Sequence, residues 1–233
     1  MKLENSMQLL KKDSLHRGGF AGLKETRLIV DNKIGGRNDT WNGLGNFIYL
    51  ADARFVPKGQ TGMHPHKEID VISIMLEGNI KHKGSMENGK SMHANQVQAQ
   101  RGGGEGFVHN EINPDNVENR MLQLWVLPEK SGEPASYKFH DLKVDKMVRV
   151  YGGKKSQKNT LDSNTIIEIG LLSKDKNVIH KGNFIAYVTG GEGILNGISV
   201  KDGDLIRDKN LDFTGLSEQV HLTIIHLDDP TVN

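Results

Sequence analysis

Short runs of apolar residues, separated by turn-forming residues, recur along the whole chain. The runs are rich in Ile, Val, Leu and aromatic residues, and most have glycine or proline close to one end. They read GNFIYLADARFV, IDVISIMLEG, RMLQLWVLP, TIIEIGLLS, NFIAYVTGG and VHLTIIHLDD. Such runs at short spacing are typical of strands in a sandwich or barrel. Because no window shows the capped periodicity of a long helix, the pattern predicts an all-β fold.

Two polar stretches interrupt this strand pattern near the middle of the chain. Residues 127–143 mix Pro, Gly and charge, which favours an inter-domain linker, and a second polar segment follows at 151–164. The sequence on each side repeats a similar order of strand, glycine, strand and turn. We therefore predict a duplicated β-barrel module, with one domain over residues 1–135 and a second over residues 136–233.

Composition narrows the possible classes of function. The chain has 233 residues with 30 basic and 29 acidic side chains, a net charge of +1, so we expect no direct contact with nucleic acid. Cysteine is absent, which excludes disulfides, thiolate metal sites and cysteine nucleophiles. The start, MKLENSMQLLKKD, lacks the apolar core of a signal peptide, and no run approaches membrane-spanning length. We expect a cytoplasmic protein without membrane contact.

Two short motifs carry the candidate chemistry. In GMHPHKEIDV, His64 and His66 flank a proline, and residues i and i+2 of an extended strand point to the same face. In GEGFVHNEI, His109 and Glu111 repeat that spacing. A pair of histidines so spaced is expected by chance roughly 0.4 times in this chain, so the first motif alone is weak evidence. Together the motifs predict imidazoles and a carboxylate that converge on one divalent metal.

The predicted donor set suits a first-row transition metal. Iron(II), manganese, nickel, copper and zinc are all candidates, and we favour iron(II). Four protein ligands leave one or two open positions in a five- or six-coordinate shell. Substrate, water or dioxygen would bind at these open positions.

The motifs resemble those of the pirin family, a branch of the cupin superfamily. The similar stretches are HPHKEIDVISIMLEG, GEGFVHNE, the hairpin KHKGSMENG and the strand MLQLWVLPE, and the resemblance covers roughly residues 40–130. It implies a bicupin, with two β-barrel domains of the double-stranded β-helix or jelly-roll type, and a metal in the N-terminal barrel only. It also implies that His64, His66, His109 and Glu111 are the metal ligands.

The resemblance implies a reaction for some family members, namely the oxygenolytic ring opening of flavonols such as quercetin with release of CO. The partners would then be a small aromatic substrate and dioxygen, and Glu111 would be the base that accepts the proton of the 3-hydroxyl. A second hypothesis is a metal- or redox-dependent regulatory protein that binds a transcription factor or a metabolic enzyme. A third is another cupin reaction, because the pocket walls decide the chemistry.

Residues close to the motifs have assignments of their own. Asp70 is either the hydrogen-bond partner of a ligating imidazole or a solvated acid at the end of a strand, and the two alternatives have equal weight. Glu68 follows the histidine pair but is not expected to bind the metal. His82 and His93 lie in polar, turn-rich segments, which predicts solvent exposure.

Further histidines and apolar residues complete the candidates. The second half has no paired histidines, and three of its histidines are predicted to be isolated and either solvated or structural: His180, His221 and His226. Five apolar residues could line a pocket beside the metal, although each is more often plain core: Phe55, Met63, Met75, Phe107 and Trp125.

Overall fold

Strands dominate the computed structural model, which describes residues 7–86 and 90–228. The first twelve strands are β1 (Gln8–Lys11), β2 (Arg17–Phe20), β3 (Leu23–Val30), β4 (Phe47–Phe55), β5 (His64–His66), β6 (Asp70–Glu77), β7 (Asn79–Gly84), β8 (Ser91–His93), β9 (Gln96–Arg101), β10 (Phe107–Ile112), β11 (Arg120–Val126) and β12 (Ser136–Asp141). The other seven are β13 (Met147–Gly153), β14 (Ser163–Leu172), β15 (Asn177–Thr189), β16 (Glu192–Leu195), β17 (Ile198–Lys201), β18 (Asp204–Gly215) and β19 (Val220–Leu227). Two short 3₁₀ helices span Lys12–Ser14 and Asn32–Ile34. Among the described residues, no helix is long and apolar enough to cross a membrane.

Two antiparallel sheets form the N-terminal barrel. The larger has seven strands in the order β12-β9-β6-β11-β4-β3-β2, and the smaller has four in the order β5-β10-β7-β8. Apolar side chains from both sheets meet between them, and among these are Phe55, Met75, Ile80, Met92 and Met121. Phe55 and Met75 are therefore core residues, which is the plainer of the two readings of those positions.

The C-terminal barrel is a single sheet of eight strands. Its order is β13-β14-β19-β15-β18-β16-β17, and β1 pairs with β18. The long strand β15 has an irregularity between His180 and Asn183 that shifts its register with β18. Along β19, Val220, Leu222 and Ile224 share the inward face, as their alternation predicts. The prediction of an all-β bicupin is confirmed.

Sheet packs on sheet between the two barrels. One apolar cluster joins Ile72 and Ile74 of β6 to Ile167 and Ile169 of β14. Both β6 and β14 therefore bury both of their faces, one toward their own barrel and one toward the other domain. Double burial explains why these strands read as nearly continuous apolar runs.

A buried arginine of the N-terminal sheet bridges the two domains. Arg120 donates from Nε and Nη2 to Asp52 at 3.0 and 2.6 Å, and from Nη1 to Asp202 at 2.8 Å. Tyr187 donates its hydroxyl to Asp52 at 2.7 Å. Burial alone would raise the pKa of Asp52, but the hydrogen bonds and charge of Arg120 lower it below its usual value.

A second buried arginine repeats this arrangement and corrects the assignment of Asp70. Arg101 donates to Asp70 at 3.0 Å, and Tyr151 of the C-terminal sheet donates its hydroxyl to the same oxygen at 2.6 Å. Asp70 has no exposed surface, and burial raises its pKa. Both predicted roles of Asp70 are wrong, because its side chain faces the other domain instead of solvent or an imidazole.

The first strand of each half pairs with a sheet of the other half. β1 pairs with β18 of the C-terminal barrel, whereas β12 pairs with β9 at the edge of the N-terminal sheet. The predicted linker at 127–143 therefore contains a strand. The division between residues 135 and 136 stays a prediction, and the strand just after it is hydrogen-bonded to the N-terminal sheet.

Candidate metal centre

Strand β10 organises the candidate site because it lies between β5 and β7. Its register places His109 opposite His64 on β5 and Glu111 opposite His82 on β7. His109 and Glu111 are each 1% exposed, whereas Val108, which precedes His109 on the strand, is 41% exposed. The two-residue period of the strand therefore turns both predicted donors of this motif into the barrel.

Three of the four predicted ligands come together directly. The ligand atoms of His64, His66 and His109 all lie within 4.8 Å of one another. The Nε2 atoms of His64 and His109 are 2.9 Å apart. Two imidazole nitrogens at about 2.1 Å from one ion and at right angles to each other would be separated by about 3.0 Å. The observed separation thus suits adjacent ligands in a five- or six-coordinate shell.

The hydrogen bonds of the imidazoles also suit a metal. His64 Nδ1 lies 2.9 Å from the carbonyl of Gly62, so it carries the proton and leaves Nε2 free to bind an ion. The buried Nε2 of His66 has no hydrogen-bond partner within the described part of the chain. An orphaned nitrogen beside two others is what a metal would satisfy.

Burial keeps two of these imidazoles neutral. It is the main cause that lowers the pKa of His66 to about 4 and the pKa of His109 to about 3. A metal ligand must be deprotonated. Both imidazoles are therefore ready to bind a cation at neutral pH.

Glu111 joins the cluster through His109. Its carboxylate forms a second close group with His82 and His109, also within 4.8 Å. Gln123 donates to its two oxygens at 3.4 and 3.3 Å, and Ser73 donates at 3.4 Å. Burial acts to raise the pKa of Glu111, but the hydrogen bond with His82 and the neighbouring imidazoles lower it to about 2.

His82 is a site residue that the sequence analysis assigned to solvent. It is 1% exposed, and its Nε2 lies 3.1 Å from Glu111 and 2.9 Å from Gln98 Nε2. Its ring stacks on His109, with centroids 5.4 Å apart and planes at 8°. The prediction of exposure is wrong. The available signal was alternation on β7, where Ile80 and His82 share the inward face.

Two other residues near the motifs lie outside the cluster. His93 is exposed, as predicted, and its Nδ1 is 2.5 Å from Asn79 Oδ1. Glu68 accepts a hydrogen bond from the backbone N–H of Gly132 at 3.0 Å. Its carboxylate therefore secures a loop on the surface of the barrel.

The histidines of the second half are less isolated than predicted. His180 and His226 have ring centroids 4.2 Å apart, and His226 Nε2 is 3.5 Å from Glu168. His221 is buried, with Nε2 2.7 Å from Asn95 Oδ1. Within residues 7–86 and 90–228, the residue groups close enough to hold a metal lie in the N-terminal barrel.

A cavity of about 580 Å³ opens over the imidazoles. Trp125 lines it beside His64 and His66, in agreement with one of the pocket predictions. Phe107 packs on His66 with centroids 5.2 Å apart, whereas Met63 is 59% exposed. The site thus combines convergent donors with a space large enough for a small organic molecule.

Comparison with protein families matches residues 36–126 to the family described as Pirin. Over these residues the chain is similar to that family. The matched range holds both motifs and agrees with the range over which the sequence resembles this family. Its donor set, with nitrogen and carboxylate ligands, fits a divalent metal ion.

Two known proteins are similar to this chain over part of its length. A protein of Zymomonas mobilis, provisionally named a quercetin 2,3-dioxygenase, is 35% identical over 37% of this chain and 36% of its own length. Quercetin 2,3-dioxygenase of Escherichia coli K12 is 35% identical over 33% of each chain. The chain thus matches about a third of the length of these relatives.

The structural comparison extends over nearly the whole chain. The nickel(II) complex of the bacterial pirin YhhW from Escherichia coli has a TM-score of 0.81 and 19% identity, and the match covers 96% of this chain and 100% of YhhW. At this level of identity the match shows the shared fold, including the C-terminal barrel, which lies beyond the range that the family comparison matches.

Proposed function

We propose that this protein is a metal-dependent dioxygenase that opens the ring of flavonols such as quercetin and releases CO. The observation that carries the proposal is the imidazole cluster of His64, His66 and His109, of which His64 and His66 line a cavity. The names of the two relatives point to the same substrate class. We propose iron(II) as the native metal, with copper, manganese, nickel and zinc as alternatives.

In this proposal His64, His66, His109 and Glu111 hold the metal. A bound divalent ion would supply Lewis acidity that makes the 3-hydroxyl of the flavonol easier to deprotonate. The imidazole nitrogens are fixed by strand register and, for His64, by the hydrogen bond to Gly62. Such fixed donors need little reorganisation when the substrate arrives.

Glu111 is the proposed base for the hydroxyl proton. Its low pKa, about 2, keeps it ionised at neutral pH, and proton transfer to such a weak base would depend on the metal lowering the pKa of the hydroxyl. Gln123 and Ser73 donate to this carboxylate, so they hold it in one orientation. The net reaction consumes one dioxygen and releases one CO for each flavonol opened.

The cavity walls provide the other requirement, an aromatic surface for a flat substrate. Trp125 and Tyr49 stack with centroids 4.2 Å apart and planes at 20°. An aromatic wall of this kind packs against a planar substrate and displaces water from it.

Aerobic turnover of quercetin tests the proposal. Metal-loaded protein should consume quercetin and dioxygen and form CO in equal amounts, as followed by absorbance, an oxygen electrode and gas analysis. Glu111→Gln should reduce the rate about 100-fold or more, whereas Glu118→Gln, an exposed change of the same chemistry, should not. Absence of turnover in a preparation with full metal content, beside an active flavonol dioxygenase as control, would contradict the proposal.

A further inference from the structure

A buried acid and a neighbouring arginine line the cavity on a wall that the metal chemistry does not use. On β3, Leu23, Glu25 and Arg27 all border the cavity. Lys24 and Thr26 border a different cavity, as alternation along a strand requires. Glu25 and Arg27 therefore belong to the wall of the candidate active site and not to the packing between domains.

The pair is buried at one end and accessible at the other. Glu25 is 6% exposed, whereas the side chain of Arg27 is 40% exposed. Arg27 Nε donates to Glu25 Oε1 at 2.7 Å, and Tyr49 donates its hydroxyl to Glu25 Oε2 at 3.2 Å. Arg27 Nη2 also contacts Oε1, so it is Oε2 that retains a further lone pair, and the guanidinium has five N–H donors. The pair can thus accept one hydrogen bond from a ligand and donate another.

Aromatic rings connect this pair to the metal cluster. Tyr49, which contacts Glu25, stacks on Trp125, and Trp125 meets His66 edge-on with centroids 5.7 Å apart. A flat molecule lying on this wall with an oxygen at the imidazoles would reach toward Glu25 and Arg27 with its opposite end.

We propose that Glu25 and Arg27 form a second subsite, which recognises two adjacent hydroxyl groups on the ring of the substrate that is remote from the metal. One hydroxyl donates to Glu25, and the oxygen of its neighbour accepts from Arg27. A ring that bears a carboxylate would instead place its charge against Glu25. A ring without polar groups would displace water from Glu25 and Arg27 without replacing its hydrogen bonds, which costs free energy. This inference rests on the proposed flavonol reaction and specifies which flavonols the site prefers.

Anaerobic binding measurements test the subsite separately from turnover. The probes are quercetin, which has two hydroxyls on its pendant ring, and its analogues that lack one or both of them. Dissociation constants come from fluorescence quenching of the metal-loaded protein. The wild type should bind more weakly by about tenfold for each hydroxyl removed, because each makes one charge-assisted hydrogen bond.

Variants at Glu25 and Arg27 test whether these two residues cause the preference for the pendant hydroxyls. Glu25→Gln should reduce the preference for quercetin over the analogue without pendant hydroxyls from about 100-fold to about tenfold, because the contact with Arg27 remains, and should leave the metal content unchanged. Glu118→Gln, at an exposed acid outside the cavity that pairs with Lys24, should keep the wild-type preference. Arg27→Lys retains a cation beside Glu25 but loses the forked donors, so it should lower the preference even if Glu25→Gln fails to fold.

The possible results are distinguishable. Equal binding of all three flavonols by the wild type, or an undiminished preference in the folded variants, would overturn the subsite and leave the flavonol reaction standing. Failure of every flavonol to bind or to react would overturn the proposed function, and the subsite with it.

Discussion

The two barrels share an architecture but have opposite interiors. The interior of the C-terminal barrel is a continuous apolar cluster that includes Phe184, Phe213 and Leu222. In the N-terminal barrel, the inward face of β10 carries His109 and Glu111, both almost fully buried. The C-terminal barrel fills its interior with apolar side chains, whereas the N-terminal barrel combines an apolar cluster with buried titratable groups.

Apolar and polar interiors affect the stability of the folded protein differently. Apolar burial stabilises the folded state directly, whereas buried polar groups cost free energy unless they are paired. His66 keeps an unpaired buried nitrogen, a local cost that metal binding would offset. The apolar interior of the C-terminal barrel contributes stability of the direct kind, as does the cluster that joins β6 and β14 between the barrels.

Removal of the histidine shared by both donor groups should have the largest effect. His109→Ala takes a donor from each close group, so metal affinity should fall by more than about 100-fold. His180→Ala, in the other barrel, should leave metal affinity unchanged. Metal analysis after dialysis and competition titration measure both, and a fully loaded His109→Ala protein would refute the assignment.

Truncation in the apolar barrel should show the reverse. Phe213 has no exposed surface, so Phe213→Ala should lower the free energy of unfolding by about 3–5 kcal/mol, without changing the metal affinity of the folded protein. Ile179→Ala, at a residue 69% exposed on the same barrel, should change it by less than about 0.5 kcal/mol. Urea unfolding, followed by metal titration of the folded fraction, makes the measurement.

Loss of the contact between His82 and the Glu111 carboxylate should have an intermediate effect on metal affinity. His82→Phe keeps a ring stacked on His109 but removes the contact with Glu111, so metal affinity should fall about 10- to 100-fold. His93→Phe is the matched control at an exposed histidine. Equal metal affinities for the two variants would show that His82 does not orient Glu111.

Acid should destabilise the metal-free N-terminal barrel. The pKa values of His66 and His109 are lowered from 6.5 to about 4 and about 3. Between these values and 6.5 the unfolded chain binds more protons, so stability falls as pH decreases through this window. Bound metal keeps both imidazoles deprotonated, so the loaded protein should be more stable at every pH but should lose stability at least as steeply as the pH falls. Thermal melts of metal-free and loaded protein from pH 7.5 to pH 4 test this, and a metal-free protein whose melting temperature does not fall below pH 6.5 would contradict it.

The smallest effect is expected at the acid next to the first motif. Glu68 bonds the N–H of Gly132, so Glu68→Ala should cost about 1 kcal/mol of stability and leave metal content intact. A metal-free Glu68→Ala protein would mean that this acid, rather than Glu111, completes the ligand set.

Local pattern predicted most of the strands and the position of the donor pairs. The apolar runs at residues 69–78 and 220–229 contain β6 and β19. They could be predicted because the two-residue period of a strand depends on the order of its own side chains. The same period placed His109 and Glu111 on one face. It does not reveal the position of His82, because the short strand β7 is polar and its sequence resembles a turn.

Other features depend on which sheets meet. Asp70 alternates correctly within β6, but only the packing of the second domain brings Tyr151 and Arg101 to it. No local sequence pattern predicts that β1 pairs with the C-terminal sheet. The same holds for the Glu25–Arg27 pair in the cavity wall.

The sequence by itself determined an all-β chain with i, i+2 donor pairs, because strand periodicity and residue type are local properties. Only the tertiary structure decided that His64 and His109, 45 residues apart, face one another and that Glu111 lies against His82. These contacts arise from the register of β10 with β5 and β7. Register between distant strands is fixed by backbone pairing and by burial of whole faces, which no single segment encodes.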